Sequence, residues 1–106
     1  LANDADLKIR LTSAPGFKAV QASAKYRNRG GSQSFEAEVS NARALAGLVL
    51  SVSVDGNKVG SFKVDRLGAG QLELDTQQGQ VVPQIRKGSF VEIKLASGRL
   101  VASGRF

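Results

Sequence analysis

An all-β domain is predicted for this chain, with about eight antiparallel strands packed as a two-sheet Greek-key sandwich. Three observations predict it. Apolar and polar residues alternate along most of the sequence, the pattern of strands with one buried face. Breaks rich in glycine recur between the alternating runs, with 12 glycines against 2 prolines, which marks turns and not disorder. No long stretch carries the period of a helix. A partly closed β-barrel is the alternative arrangement of the same strands. The 106 residues fit a single domain, 1–106, and a chain of this length buries enough surface to fold without a disulfide or a metal.

The strands follow in order from their inward residues. Leu7, Ile9 and Leu11 mark the first, and Ala22, Ala24 and Tyr26 the second. Phe35, Ala37 and Val39 mark the third, Leu50, Val52 and Val54 the fourth. Phe62 with Val64 and Leu72 with Leu74 mark the fifth and sixth. Val91, Ile93 and Leu95 mark the seventh, and Leu100, Ala102 and Phe106 the eighth. The turn Asn28-Arg29-Gly30-Gly31-Ser32, closed with Arg29 facing Ser34, sets Tyr26 against Ala37 and Ala24 against Val39. It also sets Arg27 against Glu36 and Lys25 against Glu38, pairs that stabilise a sheet mildly. Asp55-Gly56 signals a type I′ hairpin that pairs Val52 with Val59. The apolar phase then slips before Phe62, which predicts a β-bulge at Gly60. A turn at Leu67-Gly68-Ala69 pairs Val64 with Leu72 and Lys63 with Glu73. A turn at Ser97-Gly98 pairs Leu95 with Leu100, Ile93 with Ala102 and Val91 with Gly104. Asp75 to Gly79 reads as one helical turn, capped by Asp75 and ended by Gly79. Pro83 to Gly88 reads as another short turn, with Ile85 plugging the core. Ala22-Ser23-Ala24-Lys25-Tyr26 is echoed by Ala102-Ser103-Gly104-Arg105-Phe106, which suggests equivalent strands within the domain or a module of a tandem array.

Composition removes much chemistry. Histidine, cysteine, methionine and tryptophan are absent and tyrosine occurs once. The side chain that titrates near neutral pH, the thiolate nucleophile and the ligands preferred by transition metals are therefore missing. Glycine-rich segments do not match phosphate-binding motifs: Gly68-Ala69-Gly70 lacks the third glycine and a following helix, and Gly30-Gly31 lacks the lysine-serine continuation. No cofactor is expected. Glu36 and Glu38 form the best carboxylate pair by spacing, since residues two apart on a strand share a face about 6.5 to 7 Å apart. Their expected partners Arg27 and Lys25 keep both ionised, and a flat sheet face excludes no water, so catalysis is not expected there. Asp4, Asp6, Asp55 and Asn57 supply oxygen ligands without calcium-loop spacing, and no metal site is assigned.

Net charge is +6, which favours an anionic partner. Lys8 and Arg10 point outward if Leu7, Ile9 and Leu11 point in, and Arg99 and Arg105 lie on the outward register of the last strand. If first and last strands are neighbours, these four form one anion-binding patch without carboxylates opposite. Phe17, Arg86, Lys87 and Phe90 are candidate contact residues on loops. Exposed rings for base stacking are lacking, so specific single-strand recognition is not expected. No apolar run reaches the length of a membrane span.

The stretch Leu45-Ala46-Gly47 through Val54-Asp55-Gly56, then Val59-Gly60, Leu74-Asp75-Thr76, Val82-Pro83, Gly88 and Val101-Ala102-Ser103-Gly104 resembles small β modules of uncharacterised exported bacterial proteins, some in tandem copies. The resemblance implies an exported, non-catalytic module and transfers no functional residue. Leu1-Ala2-Asn3-Asp4 is compatible with a signal-peptidase cut. The expectation is an exported structural or adhesion-like module that binds protein or glycan partners, or associates with itself through an edge strand. The alternative is a domain that binds polyanions, an acidic glycan or nucleic acid, through its basic patch.

Overall fold

The computed structural model describes residues 5–106. The readings attached to Leu1, Ala2, Asn3 and Asp4 lie outside the described residues. Eight strands form, each on an alternating segment: β1 (Ala5–Ser13), β2 (Gln21–Arg29), β3 (Ser32–Ser40), β4 (Val49–Val54), β5 (Asn57–Lys63), β6 (Gly70–Asp75), β7 (Phe90–Leu95) and β8 (Leu100–Arg105). They make one antiparallel sheet in the order β5-β4-β7-β8-β1-β2-β3-β6. β1 belongs to both halves, pairing through Ala5–Leu11 with β2 and through Thr12 and Ser13 with β8. The sheet curls until its two edges approach, so the partly closed barrel describes the molecule better than two separate sheets. The two strands whose sequences echo one another, β2 and β8, are the two neighbours of β1.

Inward residues fill the barrel with one continuous cluster. Phe35, Leu50, Val52, Val64, Val91, Ile93 and Val101 are its largest fully buried members. Ile85 plugs the core from the long connection before β7, as expected. The turn in that connection spans Arg86 to Ser89, where Ser89 N–H donates to the Arg86 carbonyl, and does not begin at Pro83. After β6 the expected helical turn forms over Thr76–Gln78. The Asp75 carboxylate accepts from Gln77 N–H at 2.9 Å, and Gly79 ends the turn at φ 75°.

Four expected registers are corrected. Gly30 and Gly31 both take positive φ, so they alone form the tight two-residue turn of a twisted hairpin. Arg29 faces Ser32, which sets Tyr26 against Phe35, Ala24 against Ala37 and Lys25 against Glu36. In the last hairpin Ile93–Ala102 and Val91–Gly104 pair as expected, but an irregularity after Ile93 sets Lys94, not Leu95, against Leu100. The Gly98 N–H donates to the Leu95 carbonyl, so the turn takes in one more residue than two. The β4–β5 hairpin does bulge, but one residue before the expected place: Val52 faces Gly60 and not Val59, Ser53 faces Lys58, and Val59 is the extra residue.

The fourth correction concerns β5 and β6. They are joined by the tight turn 65–69 but do not pair; they are the two edges of the sheet. Between them lie side chains. An added Cβ at Gly60 would fall 2.7 Å from a Leu72 methyl, and one at Gly70 would fall 2.7 Å from the Phe62 ring. Leu72 and Phe62 therefore rest on opposing glycines and close the barrel by packing, without a hydrogen-bonded ladder.

Antiparallel order sorts the connections onto two ends. One end carries the 14–20 loop, the 41–48 segment, the 65–69 turn and the 96–99 turn. The other carries the 30–31 and 55–56 turns and the long connection into β7, and Ala5 and Arg105 leave the barrel there. Among the described residues no helix is long and apolar enough to cross a membrane.

Candidate functional site

The outer face of β1, β2, β3 and β6 is built in rows by the registers. One row runs Lys8, Lys25, Glu36, Glu73; the next runs Arg10, Ser23, Glu38, Gln71; a third runs Asp6, Arg27, Ser34, Asp75. Cations gather on β1 and β2 and carboxylates on β3 and β6. Lys25 pairs with Glu36 at 4.0 Å, and Asp6 holds Arg27 and Arg29 at 3.6 and 3.3 Å. Glu38 faces Ser23, whose hydroxyl donates to it at 3.3 Å. The expected Arg27–Glu36 and Lys25–Glu38 pairs are thus replaced, because the shorter turn moves every partner by two residues.

The same register creates a carboxyl pair that spacing along one strand does not reveal. Glu36 faces Glu73 directly across the β3–β6 ladder. Partial burial and a hydrogen bond with Glu73 raise the pKa of Glu36 above its ordinary value of 4.5, while Lys25 pulls the other way and Glu38 adds to the rise. Glu73 in turn accepts from Gln71 Nε2 at 2.8 Å. Lys25, Arg27, Ser34 and Asp75 complete an open depression around the pair. An acid with a raised pKa is one requirement of proton transfer, but exclusion of water is another, and the outer face of a sheet does not supply it.

A pH-dependent stability effect follows. A carboxyl whose folded pKa is raised contributes stability that is complete below its unfolded value and is lost as pH rises through the folded value. Glu36→Gln is therefore expected to stabilise the protein at pH 7 relative to wild type, by up to about 1 kcal/mol, the scale of a like-charge pair across a sheet. At pH 4 the difference should shrink towards zero. Urea unfolding at both pH values checks this, and an equal difference at both would refute it.

Of the four residues of the expected anion patch, Arg99 stands apart, while β8 runs beside β1 near Arg10: an added Cβ at Gly104, next to Arg105, would fall 3.6 Å from the Arg10 carbonyl. Lys8 and Arg10 are exposed on β1 and line a depression with Ser23, Glu38 and Ser40. Lys8 faces Lys25. Arg105 faces Phe90 on β7; its guanidinium lies 4.6 Å from the ring centroid and donates to the Gly88 carbonyl at 3.1 Å. Arg99 stands at the opposite end of β8, roughly 20 Å away at strand spacing, with its guanidinium 4.8 Å from the Phe17 ring centroid. Phe17 is only half-exposed and packs against the core. Arg86 and Lys87 are exposed beside Gly88, so they share an end with Phe90 and Arg105 and not with Phe17.

The end that carries Arg99 holds a grouping the linear sequence hides. Lys18, Arg43, Lys63, Arg66 and Arg99 are all exposed there. The ion pairs among the described residues join Lys25, Arg27, Arg29 and Lys94 to carboxylates and include none of these five. Hydrogen bonds tie their loops together: the Asn41 side-chain Nδ2 donates to the Ala19 carbonyl at 2.9 Å, Ala42 N–H to the Gly68 carbonyl at 2.9 Å, and Val64 N–H to the Leu48 carbonyl at 3.0 Å. Asp65 and Glu38 are on the flank of this end and line one depression. The Asp65 carboxylate already accepts from Leu67 N–H at 2.8 Å and Ala69 N–H at 3.0 Å. Leu48, Val49 and Leu67 are large apolar residues at this end with exposures of 46, 51 and 72%. No pattern along the chain foretold this grouping, because Lys18, Arg43, Arg66 and Arg99 come from four different connections and Lys63 from the end of β5.

Among the described residues no group of three or more acidic side chains is placed to hold a metal ion. Asp55, weighed as an oxygen ligand, accepts instead from Phe90 N–H at 2.9 Å. The fold and surface define a small, nearly closed antiparallel β-barrel with cations and exposed apolar side chains at both ends, since Val81, 88% exposed, and Lys58, Arg86 and Lys87 lie at the other. No protein-family model, curated protein or solved structure matches this chain.

Proposed function

We propose that this chain is a non-catalytic interaction module of an exported bacterial protein, structural or adhesion-like, that works by surface contact with a protein or glycan partner or with a second copy. One observation carries the reading: cations without carboxylate partners and exposed apolar side chains collect at the ends of the barrel, and three of the four large apolar residues exposed among those described lie at the 65–69 end. The polar cluster richest in titratable groups, around Glu36 and Glu73, is instead spread over an open sheet face. The resemblance of the turn and core positions to exported bacterial modules supports the same reading. Self-association through an edge strand is restricted by the side chains that lie between β5 and β6, so a second copy would meet the 65–69 end or an outer face.

Polyanion binding is the second reading, favoured by the five cations without carboxylate partners. The loop end offers this reading a second seat beside the outward faces of β1 and β8. Retention on immobilised heparin across a salt gradient, for wild type and Arg43→Gln/Arg66→Gln, tests it. Steep salt dependence that weakens in the variant supports polyanion binding; early elution of both removes it. Sedimentation equilibrium tests association between copies. Turnover of a chromogenic glycoside, lost in Glu36→Gln, would overturn the non-catalytic reading.

A further inference from the structure

We propose that the loop end of the barrel is a docking surface for an anionic lipid bilayer, with Leu67 entering the interface and Arg43 and Arg66 held against the headgroups. The proposal rests on the reading of the chain as an interaction module and names the partner of that surface.

Charge and apolarity coincide at this end. Arg66 and Leu67 are consecutive in the 65–69 turn, and Arg43 lies against that turn: an added Cβ at Gly68 would fall 2.5 Å from the Arg43 nitrogen. Lys63 faces Val49 across the β4–β5 ladder, which sets a cation and an exposed apolar side chain on one face. Lys18 and Arg99 extend the positive charge through the neighbouring loop, where Arg99 covers Phe17. An interface that is apolar a few ångströms deep and negative at its surface satisfies both kinds of side chain together. A nucleic acid or acidic polysaccharide would satisfy the cations and leave Leu48, Val49 and Leu67 in water. Exposed aromatic rings, which would stack on bases or sugars, do not accompany them.

The apolar tip is also held rigidly. Asp65 accepts from the backbone on both sides of Gly68, at Leu67 and at Ala69. Gly68 itself is buried and its carbonyl accepts from Ala42 N–H. Leu67 is thus presented at 72% exposure by a turn fastened on both sides, so little ordering cost accompanies its insertion.

The test is co-sedimentation of the intact chain with vesicles of phosphatidylglycerol and phosphatidylcholine, and with phosphatidylcholine alone, for wild type, Arg43→Gln/Arg66→Gln and Leu67→Ser. Thermal unfolding of each variant confirms that it is folded. Wild type is expected to bind the anionic vesicles and not the neutral ones. The double variant should bind roughly 25-fold more weakly, about fivefold for each charge removed. Leu67→Ser should bind roughly tenfold more weakly at unchanged charge. Failure of wild type to bind anionic vesicles overturns the proposal, and heparin retention or self-association in that case leaves the interaction-module reading standing. Vesicle binding that falls with Arg43→Gln/Arg66→Gln but not with Leu67→Ser also overturns it, in favour of a polyanion that meets the cations alone.

Discussion

Gly68→Ala is expected to destabilise the protein by about 2–5 kcal/mol, the sum of two separate costs. Gly68 has φ +85°, a region where an L side chain costs about 1–2 kcal/mol. Its added methyl would also lie 2.5 Å from the Arg43 nitrogen and 2.7 Å from both the carbonyl carbon and the nitrogen of Ala42. All three are backbone atoms, so no side chain can swing aside, and overpacking of this kind costs about 1–3 kcal/mol. Gly98→Ala is the control: it shares a left-handed φ of +91° but meets nothing within 4 Å, so only the first cost applies. Urea unfolding of both variants checks the difference. Equal losses would show that the 65–69 turn can move away from Ala42 and Arg43.

Phe35→Ala should cost about 3–5 kcal/mol, the range for removing a fully buried aromatic side chain. Phe35 is 1% exposed at the centre of the cluster. It lies on β3 between Tyr26 of β2 and Leu74 of β6. These neighbours are fixed by ladders on both sides and cannot collapse far into the space. Thermal or urea unfolding measures the loss. A cost below about 1 kcal/mol, the scale of a conservative core change, would mean that Phe35 is not central to the packing.

Inward positions were legible in the sequence because alternation reports directly which side chains face a core. Partners were less legible, and the β2–β3 hairpin shows why. Closing it at Arg29–Ser34 in place of Arg29–Ser32 moves the register by two residues, and a shift of two keeps every side chain on its own face. Tyr26, Ala24, Phe35 and Ala37 satisfy the pattern equally well either way; only the positive φ of both Gly30 and Gly31 separates the two. Glu73 was missed as the partner of Glu36 because β6 was assigned to β5, its neighbour in sequence. Alternation does not say which strand lies beside which, and Gly60 and Gly70 gave the one hint that β5 and β6 meet through side chains. The grouping at the 65–69 end was hidden for a related reason. Lys18, Arg43, Lys63, Arg66 and Arg99 approach one another only after the strand order is known.

The contact between β5 and β6 makes the barrel a structure with a built-in line of opening. Every other pair of neighbouring strands must break a row of backbone hydrogen bonds to separate, whereas here only Leu72 and Phe62 need lift from Gly60 and Gly70. Local opening draws on the weakest cooperative unit first, so amide protons along the outward edges of β5 and β6 should exchange with solvent well before those of β1, β7 and β8. Thermal fluctuation would then behave like the unrolling of a scroll, starting at one seam while its middle turns stay wound.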